Sequence, residues 1–281
     1  MKTPAATAPI IGLSQAPAPA DLAPFVQALV ERSDSERLGV AIELPDPSPL
    51  LQFVIGKDYE MRRHRAGHAF VPVPRGALWG PTGAVWEARA DGPVHIYCIV
   101  LTHLGAAMLG RTDVGSLTEQ RIDIRDLDLP HICDGLNAAP DFAARTGLVT
   151  RWLRAAFATR AARHERDLAI ASAIAQGRLT GSVDAIAQRL SISARGLHKK
   201  LVAASGWSPK HLLRLARLQA VLRQIHPQPW DTVAEDDALL QFHDEPHFAR
   251  DFKQLTCMTP STYRAAKQAN RDCLINTLYP A

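Results

Sequence analysis

The pattern of hydrophobic and polar positions changes texture partway along this chain. Between Leu38 and Leu101, short apolar segments (Val40 to Leu44, Leu50 to Ile55, His95 to Leu101) are broken by Leu44-Pro-Asp-Pro-Ser-Pro49 and Gly80-Pro-Thr-Gly83. Runs of that length bounded by proline and glycine predict short strands of a sheet or small barrel. From Gly105 onward the pattern becomes helical, and Gly147 to Arg166 alternates apolar and basic residues, as expected of a helix connecting two domains.

The C-terminal third is punctuated more sharply. Ser182 is placed to cap a helix whose apolar stripe is Val183, Ile186, Ala187 and Leu190. After the break Ser191-Ile192-Ser193, Ser193 caps a second helix with Leu197, Leu201 and Ala204 inside and Arg195, His198 and Lys199 outside, closed by Gly206. Ser208-Pro209 then opens a long helix to Ile225, carrying Leu212, Leu213, Ala216, Ala220 and Ile225 for packing and Lys210, Arg214, Arg217 and Arg223 elsewhere. At about 1.5 Å per residue it spans about 25 Å. Beyond Pro227 and Pro229, Thr232 starts another helix. Asp244 caps a further one with Phe248, Phe252 and Leu255 inside and Glu245, Ala249, Arg250 and Lys253 outside. Met258-Thr259-Pro260 leads into a last amphipathic helix with Tyr263 and Arg264.

This second half predicts two helix-turn-helix units joined by one long helix. In such a unit the second helix enters the major groove while the first braces it, and Arg or Lys pairs with guanine O6 and N7. Two units on a rigid connector reach successive grooves about 34 Å apart.

Charge supports that division. Residues 160–281 carry 17 basic against 11 acidic residues, a net of +6, whereas residues 1–159 carry 15 against 17, a net of −2. Eight basic residues against the single Asp184 fall between Ser182 and Ile225, while residues 226–281 hold five basic and eight acidic. Phosphate attraction is therefore expected from the first unit and the connector. A length of 281 residues with 47% hydrophobic and 21% charged content fits two globular domains, and no apolar run approaches the roughly 20 residues of a membrane span. Cys98, Cys133, Cys257 and Cys273 lie 35, 124 and 16 residues apart, which forms neither a CxxC metal pair nor a disulfide framework; reduced thiols in a cytoplasmic protein are expected.

The residues also resemble a known family. Val183-Asp-Ala-Ile-Ala-Gln-Arg-Leu-Ser-Ile-Ser-Ala-Arg-Gly-Leu-His-Lys-Lys-Leu, Gly206-Trp-Ser-Pro, Phe242-His-Asp-Glu-Pro-His-Phe-Ala-Arg-Asp-Phe-Lys and Met258-Thr-Pro-Ser-Thr-Tyr-Arg264 together resemble the AraC/XylS DNA-binding domain over about a hundred residues. The resemblance implies base-reading positions at Arg195, His198 and Lys199 in the first unit and at Glu245, Ala249 and Arg250 in the second. Lys200, Lys210, Arg214 and Lys253 complete the expected DNA-binding set. Asp236, Asp237 and Gln241 depart from the family, which usually has an apolar residue, an alanine and a glycine there.

In the first half, Ala23-Pro-Phe-Val26, Leu44-Pro-Asp46 leading into Leu50 to Gly56, and Ile99 to Leu109 resemble the sensor domain found on a subset of these regulators. His64 and His68 invite a metal reading, with His95 or His103 as further ligands. However, Arg62, Arg63 and Arg65 surround the first two, so neither a metal nor a cofactor is expected. Trp79 and Trp86 are placed in the core, with lining of an effector pocket as the alternative.

The expected architecture is α+β: a β-rich domain, small barrel or cupin-like, followed by an all-α domain of two helix-turn-helix units. Its expected divisions are a disordered tail at 1–20, a sensor and dimerisation domain at 21–160, a DNA-binding domain of AraC type at 165–270 and a C-terminal tail at 271–281. The resemblance implies a non-enzymatic transcription regulator acting on promoter or operator DNA. It further implies a small-molecule effector or homodimerisation through the first half, with RNA polymerase as a partner if it is an activator. Two other readings stay open: a cupin-type metal-dependent enzyme with a helical appendage, and a helical adaptor for another protein.

Overall fold

The computed structural model describes residues 11–34, 40–64, 67–225, 246–269 and 277–278. In chain order the strands are β1 (Ile11–Pro17), β2 (Val26–Asp34), β3 (Val40–Glu43), β4 (Leu50–Val54), β5 (Tyr59–Arg63), β6 (Val71–Pro72), β7 (Gly76–Trp79), β8 (Trp86–Ala90), β9 (His95–Leu101), β10 (Arg121–Asp123) and β11 (Thr277–Leu278). The helices are α1 (His103–Gly110), α2 (Val114–Leu117), α3 (Cys133–Ala138), α4 (Phe142–Ala158), α5 (Glu165–Ala175), α6 (Val183–Arg189), α7 (Ala194–Ser205), α8 (Pro209–Ile225), α9 (Pro246–Thr256) and α10 (Pro260–Ala269).

The β-rich half followed by a helical half agrees with the expected fold class. Two antiparallel sheets form it, ordered β1-β2-β9-β4-β7-β10 and β11-β3-β8-β5-β6. Strand alternation sends Ala28, Val30, Val54, Ile96 and Cys98 to one face of the first sheet, where they meet Tyr59 and Met61 of the second. Its opposite face carries Leu29, Leu51, Phe53, Tyr97, Ile99 and Leu101 into a core shared with the helices. Burial pushes the Cys98 thiol up to about 12, so it sits there as a small hydrophobe.

Three expectations are corrected. Ile11–Pro17, expected within a disordered tail, forms β1 along Ala28–Asp34. Its Ala- and Pro-rich composition conceals an edge strand, a position that tolerates proline. Within the expected C-terminal tail, Thr277 and Leu278 pair with Glu43 and Ile42. The helix expected from Gly147 to Arg166 is two helices, because α4 ends at Ala158 and His164 adopts a left-handed φ of 57° before α5.

The core has no gap between the two halves. One cluster runs from Leu51 and Phe53 through α1 and α4 into Leu168, Ile174, Ile186, Leu197, Leu201 and Leu212. At the seam between α1 and α5, buried His103 has its Nδ1 3.3 Å from Ser172 Oγ, while Nε2 meets no hydrogen-bond partner in the protein. Burial depresses the His103 pKa to about 3 from an ordinary 6.5. Between those values the unfolded chain binds a proton that the folded chain refuses. This group therefore costs nothing above pH 6.5 and weakens folding progressively below it. Unfolding titrations at pH 7.5 and 5 should show His103 alone lowering stability by about 2 kcal/mol at pH 5. His103→Gln should remove that part of the pH dependence, and an unchanged dependence would contradict it.

Candidate nucleic-acid interface

The first helix-turn-helix unit is built by local signals that coincide with the burial pattern. Ser182 Oγ accepts from Ala185 N at 3.1 Å to start α6, and Ser193 Oγ accepts from Gly196 N at 3.0 Å to start α7. Gly206 ends α7 at a φ of +74°, a left-handed conformation that an L side chain resists. Ile186 and Ala187 of α6 and Leu197, Leu201 and Ala204 of α7 are buried. Arg195, His198 and Lys199 are all exposed on α7, on the side away from that core.

Lys200 departs from its expected role. One residue further round the helix, it is half-buried, and its Nζ lies 2.9 and 3.0 Å from the two carboxylate oxygens of Asp167 on α5. This ammonium holds α5 against α7 instead of standing free for a phosphate. Arg214 departs likewise, donating at 3.1 Å to both Asp251 oxygens and at 2.6 Å to Gln254 Oε1, which joins α8 to α9. Asp167 and Asp251 carried no signal in the sequence, because their partners are 33 and 37 residues away. Lys210 stays exposed at the start of α8, and Arg217 lies exposed further along it.

The connector is buried on more of its circumference than its sequence stripe suggests. Leu212, Leu213 and Ala216 pack with the first unit, and Leu215, Leu218, Val221 and Leu222 with a second cluster containing Phe252, Leu255 and Tyr263. Phe252 and Tyr263 meet edge to face at 5.9 Å. Ala249, Arg250 and Lys253 are exposed on α9. Glu245, Asp236, Asp237, Gln241, the Thr232 start, the Asp244 cap and the Phe248 side chain lie outside the described residues. Thr259 Oγ1 accepts from Thr262 N at 3.1 Å and starts α10.

The β-rich half touches both units. Thr118 Oγ1 donates at 2.7 Å to Ser205 O, one of the last carbonyls of α7 that lack a partner inside the helix. A Cβ on Gly115 of α2 would stand 2.8 Å from Ala203 O and Val202 O, so glycine permits that close approach. At the other end, Leu44 and Val85 belong to the cluster around Phe252, and Gln219 Nε2 donates at 2.6 Å to Pro45 O. These contacts leave Arg195, His198, Lys199, Lys210, Ala249, Arg250 and Lys253 exposed.

The metal and pocket candidates are placed differently. His64 Nδ1 lies 2.6 Å from Glu87 Oε1, whose partner oxygen accepts from Arg62 at 2.6 Å. Burial pushes the Glu87 carboxyl up, but the hydrogen bonds from Arg62 and His64 outweigh it and hold the carboxyl below its usual range. His68 is exposed. Trp79 and Trp86 meet edge to face at 6.5 Å beside the sandwich interior. Among the described residues, no group of three His, Cys, Asp or Glu is placed to hold a metal, and no helix is long and apolar enough to cross a membrane.

A short helix, a turn and a second helix with exposed Arg, His and Lys, followed beyond a long connector by α9 with exposed Arg250 and Lys253, give the arrangement of a DNA-binding helix-turn-helix protein. Residues 186–266 match the family model described as Helix-turn-helix domain, so this segment is a helix-turn-helix domain. No curated protein matches the chain. Among solved structures, ToxT from Vibrio cholerae is similar at 10% identity and a TM-score of 0.45, covering 92% of this chain and 98% of that one. A ToxT structure from Vibrio cholerae with bound unsaturated fatty acid is similar at 9% identity and a TM-score of 0.46, covering 84% of this chain and 94% of that one.

Proposed function

We propose that the chain is a non-enzymatic, cytoplasmic regulator that reads two short elements of promoter DNA on one face of the duplex, under control of a small molecule bound by its β-rich half. The observation carrying this reading is the simultaneous exposure of Arg195, His198 and Lys199 on α7 and of Ala249 and Arg250 on α9, with α8 packed into both units. Lys210 and Lys253 contact phosphates. Lys200 and Arg214 serve through the ion pairs that set the helix angles.

Effector control is supported by the sandwich interior. The Trp79 Nε1 and Gln15 Oε1 atoms are buried there without a protein partner, and unpaired buried polar atoms mark a place for a ligand or water. Homodimerisation and recruitment of RNA polymerase as an activator belong to the same proposal.

The test is selection of the full chain on random duplexes, with affinity followed from low to moderate salt. Two enriched elements about one helical turn apart are expected. Arg195→Ala or Lys199→Ala should cost about 1–3 kcal/mol on the matched element and relax its sequence preference. Lys210→Ala should instead weaken all sequences alike and shallow the salt slope by about one. Failure to retain any duplex at low salt would overturn the proposal in favour of a protein adaptor.

A further inference from the structure

The four residues Ile42 to Pro45 touch three different parts of the molecule. By alternation along β3, Ala41 and Glu43 pair with Ala88 and Trp86 and face the sandwich interior, while Ile42 faces outward. Glu43 Oε1 stands 3.7 Å from Nη1 of Arg32, whose side chain is 5% exposed; a guanidinium that deep requires a compensating charge. On the other face, Ile42 and Leu44 pack among Leu215, Leu218, Val221 and Leu222 of α8 and Phe252, Leu255 and Tyr263 of the second unit. Pro45 O then takes the amide of Gln219, itself 3% exposed, at 2.6 Å. The first unit has a separate anchor, Thr118 on Ser205 O with Gly115 against the end of α7.

We propose that the β-rich half sets the relative placement of the two DNA-reading units, and that β3 conveys a change at the Arg32–Glu43 pair to the connector through Ile42, Leu44 and Pro45. The inference rests on the bipartite DNA-reading proposal above. Two anchors on one rigid body fix the ends of the reading assembly. A shift of β3 acts on the second end directly, through Ile42, Leu44 and Pro45, and reaches the α2 seam only at one remove, through Thr82, which bonds both Asp46 O and the Glu119 carboxylate. Coupling of this kind requires an element whose arrangement both sites bias, and β3 has one site on each face.

The experiment uses the full chain and two duplexes recovered by the selection, one with both elements and one with the second element scrambled. Glu43→Gln removes the charge opposite Arg32, and Gln219→Leu removes the amide tie from outside the sandwich without touching its interior. Each should change the ratio of two-element to one-element affinity by about tenfold while leaving one-element binding in place. The double variant should change the ratio no more than the larger single, since both act through one strand. A ratio unmoved by Gln219→Leu in a folded protein, or effects that multiply in the double variant, would overturn the inference while leaving bipartite reading intact. Equal affinity of the unaltered chain for both duplexes would instead overturn bipartite reading, and this inference with it.

Discussion

Arg145→Leu should lower the unfolding free energy by about 3–5 kcal/mol, the range for leaving a buried charge without its partner. Arg145 on α4 donates at 2.9 Å to Glu31 Oε1, at 3.1 Å to Leu136 O and at 2.7 Å to Ala139 O. Its side chain and that of Glu31 are 7% and 12% exposed, so water cannot replace either partner. His95 Nε2, 2.8 Å from the same Glu31 oxygen, compensates only part of the loss, and Glu31 Oε2 already meets no protein donor. Denaturant unfolding measures the effect. Combining Arg145→Leu with Glu31→Leu should recover part of the stability, because the stranded carboxylate is then gone while Leu136 O and Ala139 O still lack the Arg145 donors. A single variant within about 1 kcal/mol of the unaltered chain would mean that solvent reaches this pair.

Phe252→Ala should cost about 3–5 kcal/mol in the second unit, from lost burial and the cavity left behind. Phe252 is 1% exposed, stacks edge to face on Tyr263 and is surrounded by Leu215, Leu218, Leu222, Leu44 and Val85. Its backbone positions α9, which carries Ala249 and Arg250. The expected functional result is retained binding to the first element and loss of selectivity at the second. Selection with the variant reads this directly. Recovery of both elements at unaltered strength would show that α9 reads no bases. The side chains of Leu44 and Val85 in that cluster also mean that residues 165–270 alone expose part of the second unit's core. A fragment binding experiment therefore understates the second unit, and the full chain is the proper reagent.

The first reading unit was legible in the sequence almost residue by residue. Ser182, Ser193 and Gly206 act on backbone groups within four residues of themselves, so their chemistry is written locally. The stripe Leu197, Leu201 and Ala204 repeats at the helical period and therefore reports its buried face without knowledge of the partner. The strands β3, β4 and β9 were visible for the same reason, as short apolar runs between prolines and glycines. Spacing put Arg195, His198 and Lys199 on the outer face of one helix, and only the family resemblance made them candidates for reading bases.

Only the tertiary structure decided which charges are free to meet DNA. Lys199 and Lys200 are adjacent and chemically identical, yet one is exposed and the other is paired to Asp167, because 100° of helical rotation turns the second toward α5. Arg214 looked like a phosphate contact until α9 placed Asp251 beside it. The strand Ile11–Pro17 alternates only at Ile11 and Leu13, too short a pattern to announce it, and exists through its ladder to β2. The packing of α2 and β3 against the reading units joins residues 87 and 174 positions apart, Thr118 with Ser205 and Pro45 with Gln219. Short-range capping and periodicity are properties of the sequence itself; charge pairing, edge strands and the seam between the halves depend on which distant segments the shared core brings together.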